Sequence, residues 1–136
     1  MIIAVTDTHA LLWHVSGRTE KLGLRATKVF EGAERADGSA LIHIPTIVLS
    51  ECLSIFESGK IRIKQRFDDW VQQLNSHKYF SIEDLRVYTI LKSFELPLIR
   101  DPFDRMIVAT ALDLELPLIS ADIEIEETGY VDLLWD

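Results

Sequence analysis

The chain has 136 residues, enough for one domain and too few for two of ordinary size. Its net charge of −8, from 14 basic and 22 acidic residues, argues against tight non-specific nucleic-acid binding by electrostatics alone. Apolar residues make up 48%, so a buried core is expected, yet no apolar run approaches the ~20 residues of a membrane span.

Met1–Thr6 is a short β-branched apolar run that reads as a buried first strand rather than a signal peptide, since no basic leader or cleavage site accompanies it. Thr8–Trp13 opens a short helix, and Ser16–Gly23 is turn-rich. Leu24–Arg35 carries Ala26, Val29, Phe30 and Ala33 at helical spacing and stops before Asp37-Gly38. Ala40–Ile44 is a second strand ended by Pro45. Thr46 is placed to cap a helix over Ile47–Ser58, which Gly59 terminates. Cys52, in that helix, is the only cysteine; an internal disulfide and a cysteine-rich zinc site are excluded, and a reducing cytoplasm is the expected setting.

Lys60–Arg66 alternates basic and apolar residues over most of its length. An extended conformation would put Lys60, Arg62, Lys64 and Arg66 on one side, as a phosphate-binding row or as a solvated edge that resists strand pairing. Phe67–Ser76 has Phe67, Trp70, Val71 and Leu74 on one helical face. Tyr79–Ile82 is a weak strand. Asp84–Glu95 is helical, with Leu85, Tyr88 and Leu91 loosely in period. Asp101-Pro102 starts a helix running to about Leu114, and Leu116–Ser120 and Tyr130–Leu134 are the last strands. Glu95-Leu-Pro-Leu-Ile99 recurs as Glu115-Leu-Pro-Leu-Ile119, an echo too short to count as a structural repeat. Strands alternate with helices throughout, so a mostly parallel sheet covered by helices is expected over residues 1–136 as one domain.

Four acids stand within or at the ends of core-forming segments: Asp7, Glu51, Asp104 and Asp122. A carboxylate buried without a partner is costly, so each needs a reason. Asp7 follows the first strand, where ligands gather in open α/β sheets, and equally suits an N-cap. Glu51 shares its helix face with Ile47, Val48 and Ile55; the alternative is a boundary carboxylate that snorkels. In Asp101-Pro-Phe-Asp104, proline fits the first helical position, which makes Asp101 the natural cap and leaves Asp104 without that task. Asp122 follows a strand as Asp7 does, or is an ordinary turn aspartate. Two carboxylates ~4 Å apart repel by about 4 kcal/mol at an effective dielectric of 20, so four that converge require protons or a cation. An all-oxygen donor set suits Mg²⁺ or Mn²⁺ rather than zinc.

Four strings together resemble the PIN domain family, specifically its VapC-like toxins: Asp7-Thr-His-Ala-Leu-Leu-Trp13, Pro45-Thr-Ile-Val-Leu-Ser-Glu51, Asp101-Pro-Phe-Asp-Arg-Met-Ile-Val-Ala-Thr-Ala111 and Leu116-Pro-Leu-Ile-Ser-Ala-Asp122. They occur in family order and span nearly the whole chain. The resemblance implies a three-layer α/β/α sandwich with a mostly parallel central sheet. It further implies a divalent-metal endoribonuclease of single-stranded or looped RNA, the toxin of a toxin–antitoxin pair. Asp7, Glu51, Asp104 and Asp122 fall on the family's four acidic positions. Ser120 stands where the family often has threonine, and a hydroxyl is kept. A small antitoxin that folds on binding and a homodimer are the implied partners.

On that reading Asp7 and Asp104 are the first metal ligands, Glu51 and Asp122 ligate directly or through water, and Thr8 and Ser120 orient these carboxylates. Arg105 suits either a phosphate or a neighbouring acid. His9 lacks a zinc-like partner and reads as a surface or packing residue rather than a catalytic one. Trp13, Trp70 and Trp135 read as core, and the helices bearing Phe30 and Phe56 as docking surfaces for an antitoxin. Two other functions compete. A catalytically inactive PIN-like module would bind protein or RNA without needing the acids. A phosphatase with a nucleophilic Asp7 would need an acid two residues later, where His9 stands.

Overall fold

A computed structural model describes residues 1–136. Five parallel strands form one sheet: β1 (Ile2–Thr6), β2 (Ala40–Pro45), β3 (Phe80–Glu83), β4 (Leu118–Ile119) and β5 (Leu133–Leu134), in the order β3-β2-β1-β4-β5. The helices are α1 (Thr8–Val15), α2 (Leu24–Arg35), α3 (Thr46–Ser58), α4 (Phe67–Ser76), α5 (Val87–Ser93), α6 (Pro102–Leu114) and α7 (Ile123–Thr128). The expected sandwich with a parallel central sheet is what forms.

Strand order decides where a site can lie. From β1 the chain steps one way across the sheet to β2; from β4 it steps the opposite way to β5. Right-handed crossovers therefore put α1 and α2 on one face and α7 on the other. Between β1 and β4, which pair directly, outgoing connections diverge and open a crevice at the carboxyl ends of the strands. Two further packings frame it: α6 lies against β1, and α3 touches both α1 and α6.

Burial of alternate layers holds the frame. Phe30, Leu11, Ile42, Ile44, Ile107 and Ile119 are fully buried in one continuous core. Phe30 thus lies inside, so its ring is no part of any docking surface that its helix offers. Its helix presents Val29, Phe30 and Ala33 inward at the 3.6 period, which leaves no ring for a partner. Phe56 is half-buried and packs edge-on against Phe67 and Trp70. Trp70 is core as expected, whereas Trp13 and Trp135 are half-buried and meet edge to face at 6.1 Å.

Several local expectations shift. Thr46 does not cap α3; it is the first helical residue, Pro45 precedes it as the cap, and the Thr46 hydroxyl accepts from the Leu85 amide at 3.1 Å. The end of α2 is made by Ala36 in the left-handed region, φ 54°, before Asp37-Gly38 is reached. Lys60–Arg66 forms no strand. Helix α5 begins later than expected, and Tyr88 and Leu91 face solvent while Thr89 is buried and donates to Asp113 at 2.6 Å. Polar pairing with α6, rather than apolar period, decides which side of α5 faces inward. Ile123–Thr128 alternates Ile and Glu like a strand but is helical. Asp122 caps its start and Gly129, φ 69°, its end. No helix is long and apolar enough to cross a membrane.

Candidate active site

The crevice between β1 and β4 receives Asp7 directly. The Asp7 amide donates to the Ile119 carbonyl at 3.1 Å, which pins the residue to the end of β4. Its side chain then caps α1, accepting from the Ala10 amide at 2.9 Å. The N-cap reading of Asp7 is therefore what forms; a cap uses one carboxylate oxygen and leaves the other. Ser120, fully buried just after β4, stands between two of the acids: its hydroxyl accepts from the Asp122 amide at 3.1 Å and lies near enough to the Asp7 carboxylate to favour its charged form. Asp122 caps α7 through the Glu124 and Ile125 amides at 2.9 and 3.3 Å.

Glu51 arrives from α3. It is half-buried, and its carboxylate accepts from the Thr8 hydroxyl at 2.6 Å. Thr8 is itself buried at the start of α1, so this bond locks the acid of one helix onto the first turn of another. Asp104 comes from the first turn of α6. As the sequence suggested, Asp101 does the capping there, accepting from the Phe103 and Asp104 amides at 2.7 and 3.2 Å. The half-buried Asp104 carboxylate is left free of that duty.

Charge at these positions reports their mutual proximity. Burial is the largest influence on Asp104 and raises its pKa from 3.8 to about 7, with Asp101, Asp122, Glu51 and Asp7 each adding to the rise. Asp7 is raised to about 6, again chiefly by burial and further by Asp122. Hydrogen bonds from Ser120 and the Ala10 amide, together with the nearby His9, pull it back. The Cys52 thiol, buried beside Glu51 and Asp7, is pushed up to about 12 and is inert as a nucleophile. Three of the predicted acids, from β1–α1, α3 and β4–α7, thus act on the fourth, Asp104 at the start of α6. As the side chains stand, no three are drawn closely enough together to hold a metal ion. Their chemistry, all carboxylate oxygen with hydroxyl support, fits a hard divalent cation and offers nothing to a thiophilic one.

The predicted cations divide. Arg105 is half-buried on α6; it donates to the Arg100 carbonyl at 3.1 Å, makes no ion pair, and has a buried Nε without a partner. The acid partner anticipated for it is not formed, since the guanidinium turns back along its own segment. Lys60, Arg62, Lys64 and Arg66 are all exposed. Arg62 and Lys64 border a cleft with Val15, Ser16 and Gly17, at the C-terminal end of α1, whereas Asp7 caps its N-terminal end. Eight helical residues, about 12 Å, separate the two ends. Arg66 is held by Asp68 at 3.1 Å. His9 is exposed beside Trp13 at 5.8 Å.

Sequence reasoning missed two features here. One is α7, whose cap is an expected site acid; the Asp122-to-Gly129 spacing was its only signal. The other is the charge of Asp101, the strongest of the four carboxylates acting on Asp104 although it is engaged as a cap.

Residues 4–130 match the PIN domain family. No curated protein matches the chain. The fold is similar to that of VapBC2 from Rickettsia felis bound to a DNA fragment from their promoter, with a TM-score of 0.69, 18% identity, and coverage of 99% of this chain and 100% of that one. A toxin–antitoxin complex from Klebsiella pneumoniae is similar with a TM-score of 0.64 and 21% identity over 94% of each chain. DNA-bound VapBC from Salmonella typhimurium gives a TM-score of 0.66 and 15% identity, covering 98% of this chain and 97% of that one. At these identities the likeness is one of fold.

Proposed function

The chain belongs to the PIN domain family, and from that premise we propose that residues 1–136 act as one domain, a divalent-metal-dependent endoribonuclease that cleaves single-stranded or looped RNA. The observation that carries this reading is the Asp104 carboxylate, whose proton affinity is raised by carboxylates from three other segments of the chain as well as by its own cap. A cluster so costly to a domain of about 5–15 kcal/mol total stability is relieved by protons or by a cation, and the cation is the reading we propose.

Asp7, Glu51, Asp104 and Asp122 are the residues that would hold Mg²⁺ or Mn²⁺. Bound there, such an ion supplies a water of lowered pKa and offsets charge on the phosphate. The chain's own groups do the positioning. Ser120 and the Ala10 amide fix the Asp7 carboxylate and favour its charged form. Thr8 holds Glu51 by a hydroxyl bond, and the Asp101 cap keeps Asp104 from being consumed by its helix. Arg105, next to Asp104 on α6 and free of any ion pair, is the residue we assign to a phosphate oxygen, which requires its guanidinium to swing away from the Arg100 carbonyl. The test is cleavage of single-stranded RNA in Mg²⁺ or Mn²⁺ with and without EDTA. RNA binding without cleavage in either metal is the result expected of an inactive binding module, and it overturns the nuclease reading.

The biological role that suits this enzyme is the toxin of a toxin–antitoxin pair in the cytoplasm, held by a small cognate antitoxin. A neighbouring reading frame that encodes a DNA-binding head and an apolar tail is the observation that tests it. A second copy of the chain is the occupant proposed for α5. There Val87, Tyr88, Ile90, Leu91 and Phe94 face solvent, Phe94 to 83% and Val87 to 74%, more apolar surface than one short helix ordinarily leaves wet. Laid antiparallel on itself, the segment pairs Arg86 with Glu95, Val87 with Phe94 and Ile90 with Leu91. Opposite charges meet and apolar meets apolar, which is the condition for a two-fold contact.

A further inference from the structure

Away from the acids, the C-terminal end of α1 carries two adjoining hollows. The first is a cavity of about 390 Å³ between α1, α2 and α4, lined by the buried Leu11, Trp70 and Phe80 and the half-buried His14 and His77. No lysine or arginine lines it. The second is a shallower cleft of about 720 Å³ that holds Arg62 and Lys64. Val15 and Gln65 border both, so the two adjoin.

Polar groups in the first hollow are fixed. The His77 Nδ1 accepts from the Tyr79 amide at 3.1 Å, so the ring proton is on Nε2, which faces the Glu34 carbonyl at 3.4 Å. His14 pairs through Nε2 with the Glu34 carboxylate at 3.0 Å while its ring stacks on Phe30 at 4.7 Å. At the junction, the Gln65 side-chain amide donates to the Gln73 carbonyl oxygen at 3.0 Å. That bond leaves the Gln65 carbonyl oxygen as an acceptor and the Gln73 amide hydrogens as donors, both unused within the chain. In the second hollow, Arg62 and Lys64 have no carboxylate partner, whereas Arg66 is already neutralised by Asp68.

We propose that this end of α1 binds a nucleotide, with its base in the cation-free cavity and its phosphate against Arg62 and Lys64. A flat, neutral heterocycle suits a cavity walled by aromatic and imidazole rings, and the unused acceptor of Gln65 and donors of Gln73 in its lining are the hydrogen-bonding groups a base requires. A phosphate suits the adjoining pair of free cations and not the cavity, where the Glu34 carboxylate stands. The same chemistry comes from two sources, a free 5′-mononucleotide or one nucleotide unit of an RNA strand that also reaches the acids.

The experiment uses the full chain in EDTA, so that no strand is cut and the outcome is independent of nuclease activity. The ring signals of His14 and His77 are followed by NMR during titration with 5′-AMP and 5′-UMP, with adenosine and uridine, and with a short single-stranded oligoribonucleotide. Both imidazoles are expected to shift. Arg62→Ala combined with Lys64→Ala, two exposed changes that leave the core intact, should weaken the phosphorylated ligands at least tenfold at low salt and the bare nucleosides hardly at all. A shift with the mononucleotides assigns a free ligand; a shift with the oligonucleotide alone assigns an RNA strand. Silence of both rings with every ligand overturns the site, and so does equal affinity of the double variant for 5′-AMP.

Discussion

Asp104→Asn separates electrostatic strain from catalysis in one substitution. The carboxylate's pKa lies at about 7 in the folded chain against 3.8 for an unperturbed aspartate, chiefly through burial and then through four neighbouring acids. A group whose folded pKa is raised binds its proton more tightly when folded. It therefore costs nothing below about pH 4, and stability falls as pH rises from there through about 7, where the penalty is complete. A rise of about three units corresponds to about 4 kcal/mol; solvent screening at a half-buried side chain reduces this to about 1–3 kcal/mol. Asparagine keeps the shape and removes the charge. In EDTA at pH 8 the variant should gain about 1–3 kcal/mol, a rise of about 1 M in the urea midpoint for a domain of this size, and at pH 4 the gain should vanish. With Mg²⁺ the order should reverse, since the ion stabilises only a chain that binds it. RNA cleavage should be lost. Equal urea midpoints at pH 8 in EDTA, or a gain that does not depend on pH, would refute the clustering of the acids.

Three other outcomes are expected. Asp101→Asn keeps the cap of α6, because asparagine and aspartate cap alike, so it should melt within about 0.5 kcal/mol of the parent and keep most RNA cleavage; complete loss of cleavage would make Asp101 part of the site. Ala36→Gly relieves a non-glycine residue from the left-handed region at the end of α2 and should raise stability by about 0.5–1 kcal/mol in urea unfolding; a loss would show that Ala36 is not held there. Leu91→Glu on the solvent side of α5 should halve the mass in light scattering without lowering the melting temperature of the monomer. An unchanged mass would remove α5 from the dimer contact.

Much of the fold was legible because its elements are locally consistent. In α2 and α4, apolar residues at helical spacing agree with the observed boundaries, and Gly59 and Asp101-Pro102 mark ends that form where expected. The acids were legible as candidates because each interrupts or ends an apolar segment. Less legible were α5 and α7. The solvent face of α5 is apolar and one of its inward residues is threonine, so its period points the wrong way. In α7 the Ile-Glu alternation imitates a strand, and two caps outweigh it.

By itself, then, the chain's sequence determined the alternation of strands and helices and which carboxylates lacked an ordinary surface explanation, because periodicity and capping act within a few residues. Only the tertiary structure decided that β1 and β4 lie side by side, that Ser120 stands between Asp7 and Asp122, and that Thr8 reaches Glu51 across 43 positions. It also decided that the basic segment stands at the far end of α1. These are consequences of strand order, and strand order is set by how distant apolar faces pack together, which no local pattern encodes.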